Sequence, residues 1–184
     1  MSFRGSGATL PADLVEAAGA QDLGPELVHM AWELARLAMP APADASAPEE
    51  RALLLVALAL LAAQRDGSTR VPLAAAGGSA PLERLLVDLG ATPSDRTAVD
   101  GLLARAAAGD ARLRPLFGGA GDYRPLLRVG DHLYAQRLWE LERRVAARLR
   151  ELLPAPATNA PAAVSAALAD VRERPARDAA GRPV

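Results

Sequence analysis

The sequence predicts a mainly α fold: a compact helical domain with a small β-hairpin or short sheet, followed by a disordered Pro/Ala-rich tail. Three observations predict it. Apolar residues make up 51% of the chain but aromatics only 3%, so Ala and Leu supply the hydrophobicity, and both head the helix-propensity ranking. Several segments repeat apolar residues at three-and-four spacing between capping and breaking residues. One segment, residues 126–134, sets two short β-type runs either side of a Gly-led pair. A chain of 184 residues suits one compact domain, which buries roughly 70% of its unfolded surface.

In chain order, residues 1–21 are expected to be a flexible N-terminus, residues 22–153 the helical domain, and residues 154–184 a disordered tail or linker. The first helix with clear boundaries starts at Pro25, which has no N–H to leave unpaired, with Asp22 placed to cap it. Leu27, Met30, Ala31, Leu34, Leu37 and Ala38 form its expected inner face, and Pro40 ends it. Ser46 and Glu49 then read as a capping box. They open a helix over about Ala47–Arg65 that is apolar almost all round, and hence the buried central helix.

Residues 69–73 form a candidate strand that Pro72 confines to an edge or an irregular position. Ser79 caps a short helix carrying Leu82, Leu85, Leu86 and Leu89, closed by Gly90. Thr92, Pro93 and Asp95 start another helix with Val99, Leu102, Leu103 and Ala106, which stops at Gly109. Residues 110–124 are Gly-rich and predicted to be loop.

The hairpin follows, with strands at 126–129 and 132–134 around Gly130-Asp131. Its exit helix repeats Leu138, Leu141, Val145, Leu149 and Leu152 as one apolar stripe. Leu127, Val129, Leu133, Leu138, Leu141 and Val145 are accordingly expected to pack towards the central helix. Beyond Pro154 few large apolar residues remain, too few to offset the entropy of ordering the chain. Only residues 164–171 suggest a weak helical turn there.

Charge is near balance, −1 overall, but unevenly spread: residues 1–50 hold two Arg against eight acids, and residues 112–150 hold nine Arg against four. There is no Cys, which excludes disulfides and thiolate metal sites. No Lys occurs either, so a Walker A loop cannot be present. The start, MSFRGSGATLPADL, lacks the apolar core of a signal peptide. The continuously apolar run at 52–63 is shorter than the ~18 residues of a membrane span. A cytoplasmic protein without membrane contact is the expectation.

Catalytic constellations are not apparent. His29 and His132 have no ligand partner at i+4, and no HExxH, Cys/His cluster or G-x-S-x-G elbow occurs. Gly77-Gly78 and Gly118-Gly119-Ala120-Gly121 do not continue into Gly-Lys-Ser/Thr and read as loops. No cofactor is implied, and the chain alone is expected not to be an enzyme. The Arg-rich face of the last helix, with Arg137, Arg143, Arg144, Arg148 and Arg150, could meet phosphates. Interleaved Glu residues favour a solvated surface or a protein contact instead. No aromatic interleaving of the kind that stacks bases is visible along it.

The stretch PLLRVGDHLYAQRLWELERRVAARL, residues 125–149, resembles the G-D-x-L-Y-L-x-R-x-W-x-x-E segment of the alpha subunit of exodeoxyribonuclease V, the RecD helicase subunit of RecBCD. Gly130, Asp131, Leu133, Tyr134, Arg137, Trp139 and Glu142 match it, and Ala135 stands in place of Leu. Residues 23–31 are similar to the family's L-x-P-L-D-x-x-F-A opening, with Leu27 for Asp and Met30 for Phe. Residues 57–73 are similar to a further stretch, with Ala62 for Ser, Arg70 for His and Pro72 for Cys. The likeness runs in order over about residues 23–153.

That resemblance implies a small, mainly helical amino-terminal domain that docks on RecC-like and RecB-like subunits and serves DNA-end processing and recombinational repair, touching DNA only indirectly or weakly. The family's ATP-driven motor opens with a GGPGTGKT loop. Here a Pro/Ala tail follows instead, consistent with a fragment, a truncated product or a free-standing relative. Trp139, one position off the stripe, is expected to anchor a partner, with Arg137 and Arg144 pairing with its acidic groups. A rival reading is a small free-standing winged-helix-like DNA-binding protein, built from the helices, the strand and the hairpin.

Overall fold

Nineteen residues that are apolar almost all round need apolar neighbours on every side, and that requirement organises the molecule. The computed structural model describes residues 10–39, 47–74 and 80–153, together with Ser165, Ala166 and Ala169, which are helical. Ser46, Ser79, Pro40 and Gly77-Gly78, and the rest of the expected tail, lie outside the described residues. Two compact units divide the chain, Met1–Glu142 and Arg143–Val184.

In the first unit, α3 (Ala47–Arg65, 19 residues) is the central helix, and every residue from Ala52 to Ala63 is buried. Burying a Leu side chain contributes about 1.5–3 kcal/mol, and five Leu in α3 are at most 2% exposed: Leu53, Leu54, Leu55, Leu58 and Leu60. Around it pack α2 (Pro25–Arg36), α4 (Pro81–Asp88) and α5 (Pro93–Ala107), with strands β1 (Arg70–Pro72) and β4 (His132–Ala135). The fold is mainly helical with a small sheet, as composition and spacing predict.

Residues 12–20, expected as part of a flexible N-terminus, form α1 (Ala12–Ala20). Leu14 and Ala18, one turn apart, are both buried in the common core, which is what orders the segment. Helix α2 starts at Pro25, but Asp22 does not cap it. Gly24 occupies the N-cap position, and Asp22 sits at φ +56° in the turn leaving α1, a conformation that Asp tolerates better than most residues. Its inner face is also rotated from expectation. Val28, Ala31, Trp32 and Ala35 are buried, whereas Met30 and Leu37 are 44% and 49% exposed. The helix is apolar over two overlapping lanes, and the lane containing Trp32 buries the larger ring.

Helix α5 opens with a capping box that Thr92 and Asp95 close reciprocally. Thr92 Oγ1 accepts from the Asp95 N–H at 3.2 Å, and the Thr92 N–H donates to Asp95 at 2.9 Å. The same carboxylate receives Arg51 Nε of α3 at 2.9 Å, joining the two helices near their starts.

Strands β1, β4, β3 (Leu126–Val129) and β2 (Phe117–Gly118) lie in that order in one sheet. The β3–β4 and β1–β4 pairs are antiparallel, with Leu127 opposite Tyr134 and Val71 opposite Leu133. Pro72 is on an edge strand, the position its missing N–H demands. Gly130 turns the hairpin at φ +57°, where a Cβ would be strained. Strand β2, within the stretch predicted as loop, pairs in parallel with β3.

Candidate functional site

The segment that carries the resemblance is the hairpin and the opening of α6 (Gln136–Leu152), and most of its matched residues do internal work. Leu133 and Tyr134 are buried, 0% and 3% exposed. The Tyr134 ring meets the Trp139 ring edge-on, with centroids 4.9 Å apart. Trp139 Nε1 donates to the Ala120 carbonyl at 3.1 Å, fastening α6 to the Gly-rich loop. Asp131 supplies its carbonyl to the Leu73 N–H at 2.8 Å. Thr69 Oγ1 donates to Glu142, and Arg70 Nη1 reaches the Tyr134 hydroxyl at 3.4 Å, so the start of β1 is tied to the same junction. A Gly, a buried Tyr, a Trp and a Glu at these spacings therefore lock a hairpin onto the helix that follows it.

Of the three partner-binding candidates, Trp139 is half-buried and turned inward, while Arg137 and Arg144 are exposed. The two Arg are seven positions apart, which places them in one lane of α6 at about 100° per residue.

The apolar stripe of α6 differs from expectation. No residue of α6 is buried; Leu138 is half-buried, and Leu141, Val145, Leu149 and Leu152 are 52%, 51%, 52% and 61% exposed. The expected core positions Leu141 and Val145 are thus surface positions; Leu133 is buried in the common core as expected, whereas Leu127 is buried but outside that core and Val129 is half-buried. Periodicity shows that a helix has an apolar side but not what covers it. Here α3 is already enclosed by α2, α4, α5 and the sheet. Helical geometry puts Arg137, Arg144 and Arg148 along one border of the stripe, the last paired with Glu151 at 2.8 Å.

Sequence reasoning passed over Arg114, Arg124 and Arg128, which the structure gathers around the Gly118-Gly119 loop, and the exposed Tyr123 beside Arg124 in the chain. The available signal was a Gly cluster set inside an Arg-rich stretch. Among the described residues no three His, Cys, Asp or Glu side chains group as a metal site requires, and no helix is long and apolar enough to cross a membrane. The sequence matches no protein-family model and no curated protein.

Proposed function

We propose that this chain is a non-catalytic docking module: an amino-terminal RecD-like domain that binds a RecC-like subunit, alongside a RecB-like one, in a DNA-end-processing helicase/nuclease complex for recombinational repair. The observation that carries the docking part is the uncovered apolar stripe of α6. Four large aliphatic side chains spaced along one helix stand more than half exposed, with Arg along their border. An amphipathic helix with i, i+4, i+7 apolar positions is the usual element of helix-in-groove recognition, and Arg is enriched where such surfaces meet acidic partners. The choice of a RecC-like partner rests on the sequence resemblance alone.

Co-expression with a RecC-like subunit followed by affinity capture tests it. Wild type is expected to co-purify, and Leu149→Asp and Arg144→Glu are expected to reduce capture at least tenfold without altering the thermal unfolding of the isolated chain. Undiminished capture of both variants would place the contact elsewhere, for instance on the acidic first fifty residues. Failure of wild type to bind would remove the RecC-like partner itself.

A further inference from the structure

A cleft in the first unit uses no residue of α6. It has a volume of about 640 Å³, within the ~300–1,000 Å³ typical of small-ligand sites. The end of α5, the Gly-rich loop and the β3–β4 turn enclose it. Leu113 and Phe117, 1% and 7% exposed, give it an apolar floor, and Arg114, Arg124 and Arg128 line it.

The charge balance of that cleft favours an anion. Arg114 Nε donates to the Gly109 carbonyl at 3.2 Å and Arg128 Nη1 to the Leu103 carbonyl at 3.4 Å. These bonds orient the two guanidinium groups without neutralising them. Among the described residues no carboxylate is within ion-pair range of Arg114, Arg124 or Arg128. The lining also carries two acids, of which Asp110 is partly offset by Arg105, so the three Arg remain in excess. Asp110 faces Arg105 at 3.9 Å and accepts the Arg112 N–H at 3.0 Å, and Asp122 accepts the Gly119 N–H at 2.7 Å.

A second, independent feature gives the anion a shape. Tyr123 is 88% exposed, although only six aromatic side chains occur in the chain. It lies between Asp122 and Arg124, both in the cleft lining, so its backbone borders the cleft. The loop that carries it is closely seated: a Cβ on Gly118 would come within 2.6 Å of Asp122 Cβ and 2.8 Å of Arg124 Cγ. Gly118 thus allows the loop to lie against β2. Unpaired guanidinium groups beside a free aromatic face form the pairing that holds single-stranded nucleic acid, phosphates on the cations and a base on the ring.

We propose that this cleft binds a nucleotide unit of single-stranded nucleic acid, with Arg114, Arg124 and Arg128 on phosphate and Tyr123 stacked on a base. The proposal is independent of the docking reading, since it uses neither α6 nor a partner subunit. Fluorescence anisotropy of a labelled single-stranded oligonucleotide of about twelve nucleotides, titrated with the full chain, tests it. Binding is expected to weaken as salt rises. Tyr123→Ala should cost about fivefold to a hundredfold in affinity, the range of one lost base stack, and Arg124→Glu at least as much, while Arg144→Glu should leave affinity unchanged.

Competition by AMP would assign the site to a single nucleotide, free or within a strand. Binding of the oligonucleotide without AMP competition would assign it to the strand. No binding at low salt, unaltered binding by both cleft variants, or an equal loss in Arg144→Glu would overturn the proposal. Unaltered circular dichroism of each variant separates loss of the site from loss of the fold.

Discussion

Leu127 and Leu141 both belong to apolar-periodic segments, yet one is 0% and the other 52% exposed. Their substitutions should separate accordingly. Leu127→Ala should destabilise the chain by about 2–5 kcal/mol through lost burial and a residual cavity, and Leu141→Ala by no more than about 0.5 kcal/mol. Denaturant unfolding of both variants checks the difference, and equal effects would contradict the observed packing. Asp95 makes a pH-dependent counterpart. Burial acts to raise its pKa, but the Thr92 N–H and hydroxyl and the Arg51 guanidinium hydrogen-bond its charged form and together hold it below the ordinary carboxylate value. A depressed folded-state pKa means that the stabilisation is complete above the unfolded value, near ~3.9, and is lost as pH falls through the lower folded value. Asp95→Asn should therefore lower Tm at neutral pH, and the gap to wild type should narrow as pH drops below about 4. A gap that stays constant from neutral pH to pH 3 would show that the charge of Asp95 contributes nothing.

Elements were legible where their cause is local. The hairpin follows from Gly130 and its flanking apolar runs, the start of α5 from Thr92 and Asp95, and the central helix from its unbroken apolar run. What escaped depends on distant partners. Strand β2 is two residues long and is defined by its parallel pairing with β3. Helix α1 is ordered by burial of Leu14 and Ala18, which its short apolar pattern does not announce. The Arg-lined cleft likewise combines residues from α5, a loop and β3 that no contiguous motif unites. Gly130, by contrast, can be tested as a purely local device. Its φ of +57° costs a non-Gly residue roughly 1–2 kcal/mol, so Gly130→Ala should lower stability by about that amount. Gly130→Asn should lower it less, because Asn tolerates the left-handed region. Chemical denaturation that ranks the two the other way would show that something besides backbone conformation fixes this turn.

At the scale of the molecule, two surfaces of different character are present: an aliphatic stripe bordered by Arg on α6, and an Arg-lined cleft whose loop carries the exposed Tyr123. Under the proposed readings both serve recognition, and the absence of Lys is a reason to expect no ATP turnover from either. P-loop phosphoryl transfer needs a Lys that reaches the β- and γ-phosphates from a Gly-rich loop, and this chain contains no Lys at all. The Gly118-Gly119 loop can bring backbone N–H groups near an anion, but the Gly119 N–H already serves Asp122. Guanidinium groups that bind phosphate without a positioned nucleophile hold ground state and transition state alike, which strengthens binding without accelerating reaction. ATP with Mg²⁺ should therefore displace a bound oligonucleotide from the cleft if the nucleotide unit is what is recognised, yet release no phosphate above the blank. Phosphate-release assays across successive chromatographic fractions distinguish the cases. Activity that co-elutes with the protein and falls in Arg124→Glu would make the cleft catalytic and end the reading of this chain as a binding module, whereas displacement without turnover is the outcome that its residues predict.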